Sequence, residues 1–166
     1  MKRKNGFSLI ELLIVFAILA VMLTVATLYW QRYVARINLR SAARHVASDM
    51  TEYRGRAVSE SRVYTITFSG TDKYNIAAPA QSSHAAFNID AKPMETAGAP
   101  DVQIKSSNFT GCHVVRFTPR GLVEHCAVSP GTPGDTGTVT LQNDRGATAT
   151  ITLNSRGTVD VTFANF

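Results

Sequence analysis

Gly6–Phe16 reads GFSLIELLIVF. It opens an apolar segment that runs to Trp30 and holds one ionisable side chain, Glu11. Between Phe7 and Trp30 there is no Lys, Arg, Asp, Gly or Pro. About 20 apolar residues cross a bilayer as a helix, so residues 7–30 are long enough to span one. Lys2, Arg3 and Lys4 flank the segment on one side. The positive-inside rule then places the N-terminus in the cytoplasm and everything after Trp30 across the membrane. A secretory signal peptide shares the basic start, but its apolar region runs only about 7–15 residues to a small-residue cleavage site. Here the segment is longer, and a helical pattern continues beyond it.

A charged side chain at the bilayer centre costs about 2.5–3.5 kcal/mol on insertion scales and needs a partner. Glu11 sits near the cytoplasmic end, where the cost is lower, and no Lys or Arg lies one helical turn away within the segment. An α-amino group would supply the missing charge. Cleavage between Gly6 and Phe7 would create one on Phe7, within reach of Glu11 of the same or a neighbouring subunit. Glu11 would then act as a register device, satisfied only at one axial offset between subunits.

Lys4 to Glu11, KNGFSLIE, resembles the processing signal of type IV prepilins and type II secretion pseudopilins. The resemblance implies cleavage after Gly6 by a prepilin peptidase, N-methylation of Phe7, and contact between Glu11 and the Phe7 amine of an adjacent subunit during filament assembly. Gly6 suits such a site, since a backbone without a side chain enters a narrow cleft. Many members of this family carry a Pro about fifteen residues after the Glu; Leu23 to Trp30 contains none.

The formal net charge is +5, from 17 basic and 12 acidic residues, and three of the basic ones fall in the first four positions. The basic balance is therefore largely terminal, which argues for membrane orientation more than for a nucleic-acid surface. Apolar residues make up 45% of the chain, enough for a globular core.

No Pro occurs before Pro79, and after Gly6 no Gly occurs before Gly55. The absence of breakers predicts a helix from about Ser8 to about Ser59. Beyond the apolar segment, Leu39, Ala43, Val46, Met50, Tyr53 and Ala57 recur at steps of four and three, a stripe expected to lie on a sheet. Arg32, Arg36, Arg40 and Arg44 form a second row, for lipid headgroups or acidic faces of neighbouring subunits, or simply a solvated face. Arg54, Arg56 and Arg62 raise nucleic-acid binding, but with few aromatics interleaved.

After Ser61 the period shortens to that of strands. Val63–Phe68 and Tyr74–Ala78 read as a hairpin, residues 79–100 as a loop, and Val102–Lys105 as a short strand. Cys112–Thr118 and Leu122–Val128 flank Pro119-Arg120-Gly121 as a second hairpin. Ser129–Gly137 reads as a loop, and Val139–Gln142, Ala147–Leu153 and Thr158–Phe163 as a meander. The two meander turns repeat, Asn143-Asp144-Arg145-Gly146 and Asn154-Ser155-Arg156-Gly157. Asn favours turn entry and Gly supplies the positive φ that closes the turn. Arg120, Arg145 and Arg156 thus stand at three tips. Clustered, they could bind an anion or DNA; separately, they are turn chemistry with a solubilising charge.

Phe117, Pro119 and Gly121, followed by the late Arg156-Gly157 turn, resemble the globular domain of pseudopilin H and FimT-like minor pilins. Some FimT-like minor pilins bind DNA through a Gly-Arg-x-Arg motif; this chain has Ser155-Arg156-Gly157-Thr158 instead. The resemblance implies a minor subunit at or near a filament tip, in initiation or cargo contact.

Cys112 and Cys126 lie outside the apolar segment. In an oxidising periplasm the hairpin at Pro119 would bring them nearly opposite, and a disulfide closing a loop of about 15 residues contributes roughly 3 kcal/mol. Free thiols are the alternative. His113 and His125 adjoin them, but neighbours on a strand point to opposite faces, so four ligands do not converge and no metal is expected. No nucleophile elbow, phosphate loop or zinc-protease motif is visible, and neither an enzyme nor a cofactor is expected.

The reading is an α+β chain: a long N-terminal helix, transmembrane in its first half, packed on antiparallel sheet in a pilin fold. Its parts are a leader (1–6), a membrane and assembly helix (7–30), an amphipathic continuation (31–60) and a β-rich periplasmic domain (61–166). Expected partners are prepilin peptidase, other pilin or pseudopilin subunits, the inner membrane and secreted cargo. The function that the resemblance implies is that of a minor pseudopilin of a type II secretion filament, supporting protein secretion; the alternative is a minor type IV pilin for pilus biogenesis, adhesion or DNA uptake, with DNA-binding arginines.

Overall fold

Leu9–Ser59 forms one α-helix, α1, in the computed structural model, which describes residues 9–93, 102–109, 112–125 and 136–165. Its stop lacks the usual glycine. Ser61 adopts φ 52°, the Ser61 N–H donates to the Val58 carbonyl, and the Arg62 N–H donates to the Ala57 carbonyl at 3.2 Å. These are the paired bonds of a Schellman cap, closed here by a serine in the left-handed region.

The chain divides into two compact units, Met1–Val34 and Ala35–Phe166. In the first, the described part of α1 exposes Leu12, Leu13, Ile14, Phe16, Leu19, Leu23 and Trp30 around its whole circumference. An all-round apolar helix needs lipid or other apolar helices as its surroundings. Its threonine hydroxyls are satisfied internally: Thr24 Oγ1 donates to the Ala20 carbonyl and Thr27 Oγ1 to the Thr24 carbonyl, both at 2.9 Å. By length and composition this helix can cross a membrane once.

In the second unit nine strands follow α1: β1 (Tyr64–Thr67), β2 (Lys73–Ala78), β3 (Phe87–Pro93), β4 (Val102–Asn108), β5 (Val114–Phe117), β6 (Val123–His125), β7 (Thr136–Asn143), β8 (Thr148–Asn154) and β9 (Val159–Ala164). They form two antiparallel sheets, one in the order β3-β2-β1-β5-β6 and one in the order β4-β7-β8-β9. Burial alternates along β1, β7 and β8, as a sheet with one covered face requires. The cover is the α1 stripe. Leu39, Ala43, Val46, Met50, Tyr53 and Ala57 are all buried, in one core with Ile66, Ile76 and Phe117 of the first sheet and Leu141, Ile151 and Leu153 of the second.

Three strand boundaries differ from the sequence reading. The stretch taken as a loop from 79 to 100 contains β3, an edge strand in which Phe87 and Ile89 are half-buried. A bulge opposite Tyr74 and Ile76 interrupts its register, and Ala91 takes φ 53° with its N–H bonded to Asn75 Oδ1 at 2.8 Å. Its alternation is thus broken after two apolar residues. β4 runs three residues past Lys105, carried by a bulge between Ile104 and Ser106. β7 starts at Thr136, inside the expected 129–137 loop, because Thr136 and Gly137 pair with Asn154 and Leu153. Residues 94–101, 110–111 and 126–135 lie outside the described residues.

Candidate functional site

Glu11 stands in the first turn of α1, where a carboxylate complements the partial positive charge of the helix N-terminus. It is exposed, between exposed Ile10 and Leu12, and makes no ion pair among the described residues. Among the described residues of the apolar segment it is the one accessible carboxylate. Gly6 and Phe7, the expected cleavage and methylation positions, lie outside the described residues.

The arginine row Arg32, Arg36, Arg40 and Arg44 is exposed. Arg40 lies 5.8 Å from the Phe163 ring centroid, and with Ile37, Ser41, Arg44 and His45 it lines an open hollow on α1. The three arginines further on are engaged within the unit. Arg56 pairs with Glu52 at 2.9 Å one turn away and stacks over Tyr53. Arg62, only 4% exposed, donates to Tyr64 Oη at 2.7 Å and to the Ala85 carbonyl at 2.8 Å, and lies 2.9 Å from the Glu60 carboxylate. Tyr64 also donates to Glu60 at 2.7 Å, and this bond, with the Arg62 charge beside it, holds the Glu60 carboxyl below its usual range. These residues are therefore structural, not a free basic surface for nucleic acid.

Arg54 has a role that sequence reasoning missed. Its Nε donates to the Gly121 carbonyl at 2.9 Å, in the β5–β6 turn. A Cβ on Gly157, in the β8–β9 turn, would fall 2.3 Å from that same Nε. The two turns also bond directly, Val123 N–H to the Ser155 carbonyl at 3.0 Å. Arg54 thus clamps together two of the three arginine tips, Arg120 and Arg156. Both are exposed, and neither makes an ion pair among the described residues.

Arg145 is elsewhere. Its turn has the same build as that of Arg156. Asn143 Oδ1 accepts from the N–H groups of Arg145 and Ala147, and Asn154 Oδ1 from those of Arg156 and Thr158. Gly146 and Gly157 close the turns at φ 81° and 79°. The two turns lie at opposite ends of β8, a separation of about 20 Å for a seven-residue strand. Asn143 Nδ2 reaches the Ala35 carbonyl at 3.3 Å, so this turn meets α1 nineteen residues before Arg54. The three tips do not cluster; two do.

A second buried group links α1 to the edge of the first sheet. Asp49, 5% exposed, accepts from Tyr74 Oη and pairs with Lys92 of β3. Burial first, and then the Asp49 carboxylate, push the Tyr74 phenol well above its ordinary value. Asp49 lies three residues after Val46, on the face of the apolar stripe, and a carboxylate at that position is the signal by which it was findable.

Cys112 is half-buried, with its sulfur 2.8 Å from the Phe109 carbonyl. Cys126 lies outside the described residues. His113 Nδ1 is 2.7 Å from the Ser107 hydroxyl and 2.9 Å from the Ser107 carbonyl, a local contact.

Comparison with known proteins agrees with this division. No solved structure matches the chain. Residues 1–27 match the family model described as the prokaryotic N-terminal methylation motif. Residues 42–157, most of the second unit and well over half of the chain, match the model of type II transport protein GspH. With the apolar helix bearing Glu11 at one end and the Arg54-clamped sheets at the other, the chain belongs to the GspH family of pseudopilins.

Proposed function

We propose that this protein is a minor pseudopilin of a type II secretion filament. The observation that carries the reading is Glu11, one exposed carboxylate on the first segment of α1, residues 9–30, which is otherwise apolar all round. Such a group is costly in lipid and is best accounted for by a positive partner supplied on assembly. Prepilin peptidase cleaves between Gly6 and Phe7, and the new Phe7 amine is methylated. The subunit waits in the inner membrane with its N-terminus in the cytoplasm and its sheets in the periplasm. On assembly, at or near the filament tip, Glu11 contacts the Phe7 amine of a neighbour and the apolar helices pack together. The filament then supports export of folded cargo. The GspH match favours secretion over a pilus. The protein acts as a structural part and carries out no catalysis.

A Cys112–Cys126 disulfide belongs to this reading, since a periplasmic domain sits in an oxidising compartment. The hairpin register supports it: Val115 pairs with His125, in the two strands that adjoin the cysteine-bearing segments.

The test is mass spectrometry of the membrane-extracted chain together with a deletion strain. The expected chain begins at methylated Phe7, and the deletion loses secreted enzymes from the medium while retaining surface pili. An intact Met1 in cells with active peptidase would exclude the assignment. Normal secretion with lost pili or DNA uptake would make the protein a minor type IV pilin instead.

A further inference from the structure

The C-terminal end of α1 brings together groups that the filament role leaves unused. Arg54 holds the β5–β6 and β8–β9 turns against each other through Gly121 and Gly157. On these turns Arg120 and Arg156 are exposed and form no ion pair among the described residues. Beside them two aliphatic side chains face solvent: Val58 at 49% exposure and Leu122 at 50%. A Cβ on Gly121 would lie 3.3 Å from Val58 Cγ2, so Val58 abuts the very turn that carries Arg120 and Leu122.

We propose that this end of the unit is a docking surface for an acidic, aliphatic segment of a partner protein. The guanidinium groups of Arg120 and Arg156 take its carboxylates, and Val58 and Leu122 take its apolar side chain. Charge complementarity selects the partner, because the other arginines nearby are already engaged: Arg54 with the turns, Arg56 with Glu52, and Arg62 with Tyr64 and Ala85. Both tips sit on closed turns tied to one clamp, so little backbone freedom is lost on binding. The apolar members are aliphatic, whereas single-stranded nucleic acid is gripped by stacking on aromatic rings. Duplex DNA is read by arrays of phosphate contacts along a face, and Arg145 stands at the far end of β8. The surface goes beyond the assembly role of Glu11 and does not depend on it.

The test uses the full chain in uncharged detergent micelles and a dye-labelled synthetic peptide alternating glutamate and leucine, followed by fluorescence anisotropy at low salt. The expected result is binding that weakens as salt rises. It falls about tenfold in Arg120→Ala/Arg156→Ala, since each exposed charge pair contributes modestly. Leu122→Ser also weakens it, and Arg145→Ala leaves it unchanged. Absence of binding, or binding that survives the double change, overturns the proposal. So does an equal loss in Arg145→Ala, which would reduce the effect to net charge. Tighter binding of a labelled DNA duplex, lost in the same double variant, would assign the surface to nucleic acid instead. Phe7 processing, measured on the same variants, reports separately on the filament reading.

Discussion

A methyl group on Gly157 would stand 2.3 Å from Nε of Arg54. With Arg54 placed across the turn there is no room for a Cβ at 157, so a side chain there would push the guanidinium aside, and φ 79° favours glycine independently. Gly146 closes the twin turn at φ 81°, but there a Cβ would meet only Gln142 Nε2, at 3.8 Å. Gly146→Ala should cost about 1 kcal/mol from backbone strain alone. Gly157→Ala should cost about 3 kcal/mol, strain plus overpacking against Arg54. Urea unfolding of both variants measures the gap. The double change Arg54→Ala/Gly157→Ala should cost less than the sum of the single changes, because the clash is then gone.

The paired asparagines give a second comparison. Asn143 and Asn154 build the same turn, yet only Asn143 is buried and reaches α1, through the Ala35 carbonyl. Asn154→Ala should lose the turn bonds, about 1 kcal/mol. Asn143→Ala loses them in the interior together with the link to the helix, about 2–3 kcal/mol. Thermal unfolding midpoints in the same buffer decide it, and equal shifts would show that the Ala35 contact contributes nothing.

Tyr74 should contribute to the loss of stability at alkaline pH. Its phenol is raised in the folded state by burial and by the bond to Asp49, against an ordinary value near 10. The neutral form is the one that fits. Its stabilisation is thus fully present below about pH 10 and drains away above it, as the unfolded chain ionises more readily. Tyr74→Phe should cost about 1.5–3 kcal/mol at neutral pH, because the bond lost is to a carboxylate, and should flatten the decline above pH 10. Denaturant midpoints from pH 8 upward would show whether the slope is reduced; an unchanged slope would count against the Tyr74 contribution.

Cys112 and Cys126 should be oxidised in the periplasm. Intact mass before and after reduction reads the bond directly. Cys112→Ser should cost about 3 kcal/mol if the loop entropy model holds for this hairpin. An unchanged mass on reduction would remove the disulfide from the account.

The helix was legible because its grammar is long. Fifty residues without a proline, with a stripe at alternating steps of four and three, leave few other readings, and each stripe residue is buried. The Asn-x-Arg-Gly turns were equally plain, since side-chain and glycine geometry act within four residues. β3 was hidden because an edge strand needs little apolar surface and its period breaks at the Ala91 bulge. The stop at Ser61 was visible only as a change of period, since no glycine marks it. Arg54 was unreadable for a different reason. An arginine that joins two turns looks, in sequence, like any solvated arginine; only the glycines at 121 and 157 hint that something must approach them. Glu11 showed the reverse case, a single residue whose oddity is entirely local.

Ala35 and Arg54 mark the ends of a helical stretch of about 28 Å, and the second sheet meets α1 at both: Asn143 bonds to the Ala35 carbonyl at one end, and the Gly157 turn packs on Arg54 at the other. β8 joins these two fastenings and so runs along the helix. Tension along α1 would then reach the second sheet at two points together. The β7–β8 and β8–β9 ladders would be sheared, with all rungs resisting at once, and not peeled rung by rung. A subunit that is drawn out of place by its helix would for that reason move with its domain intact.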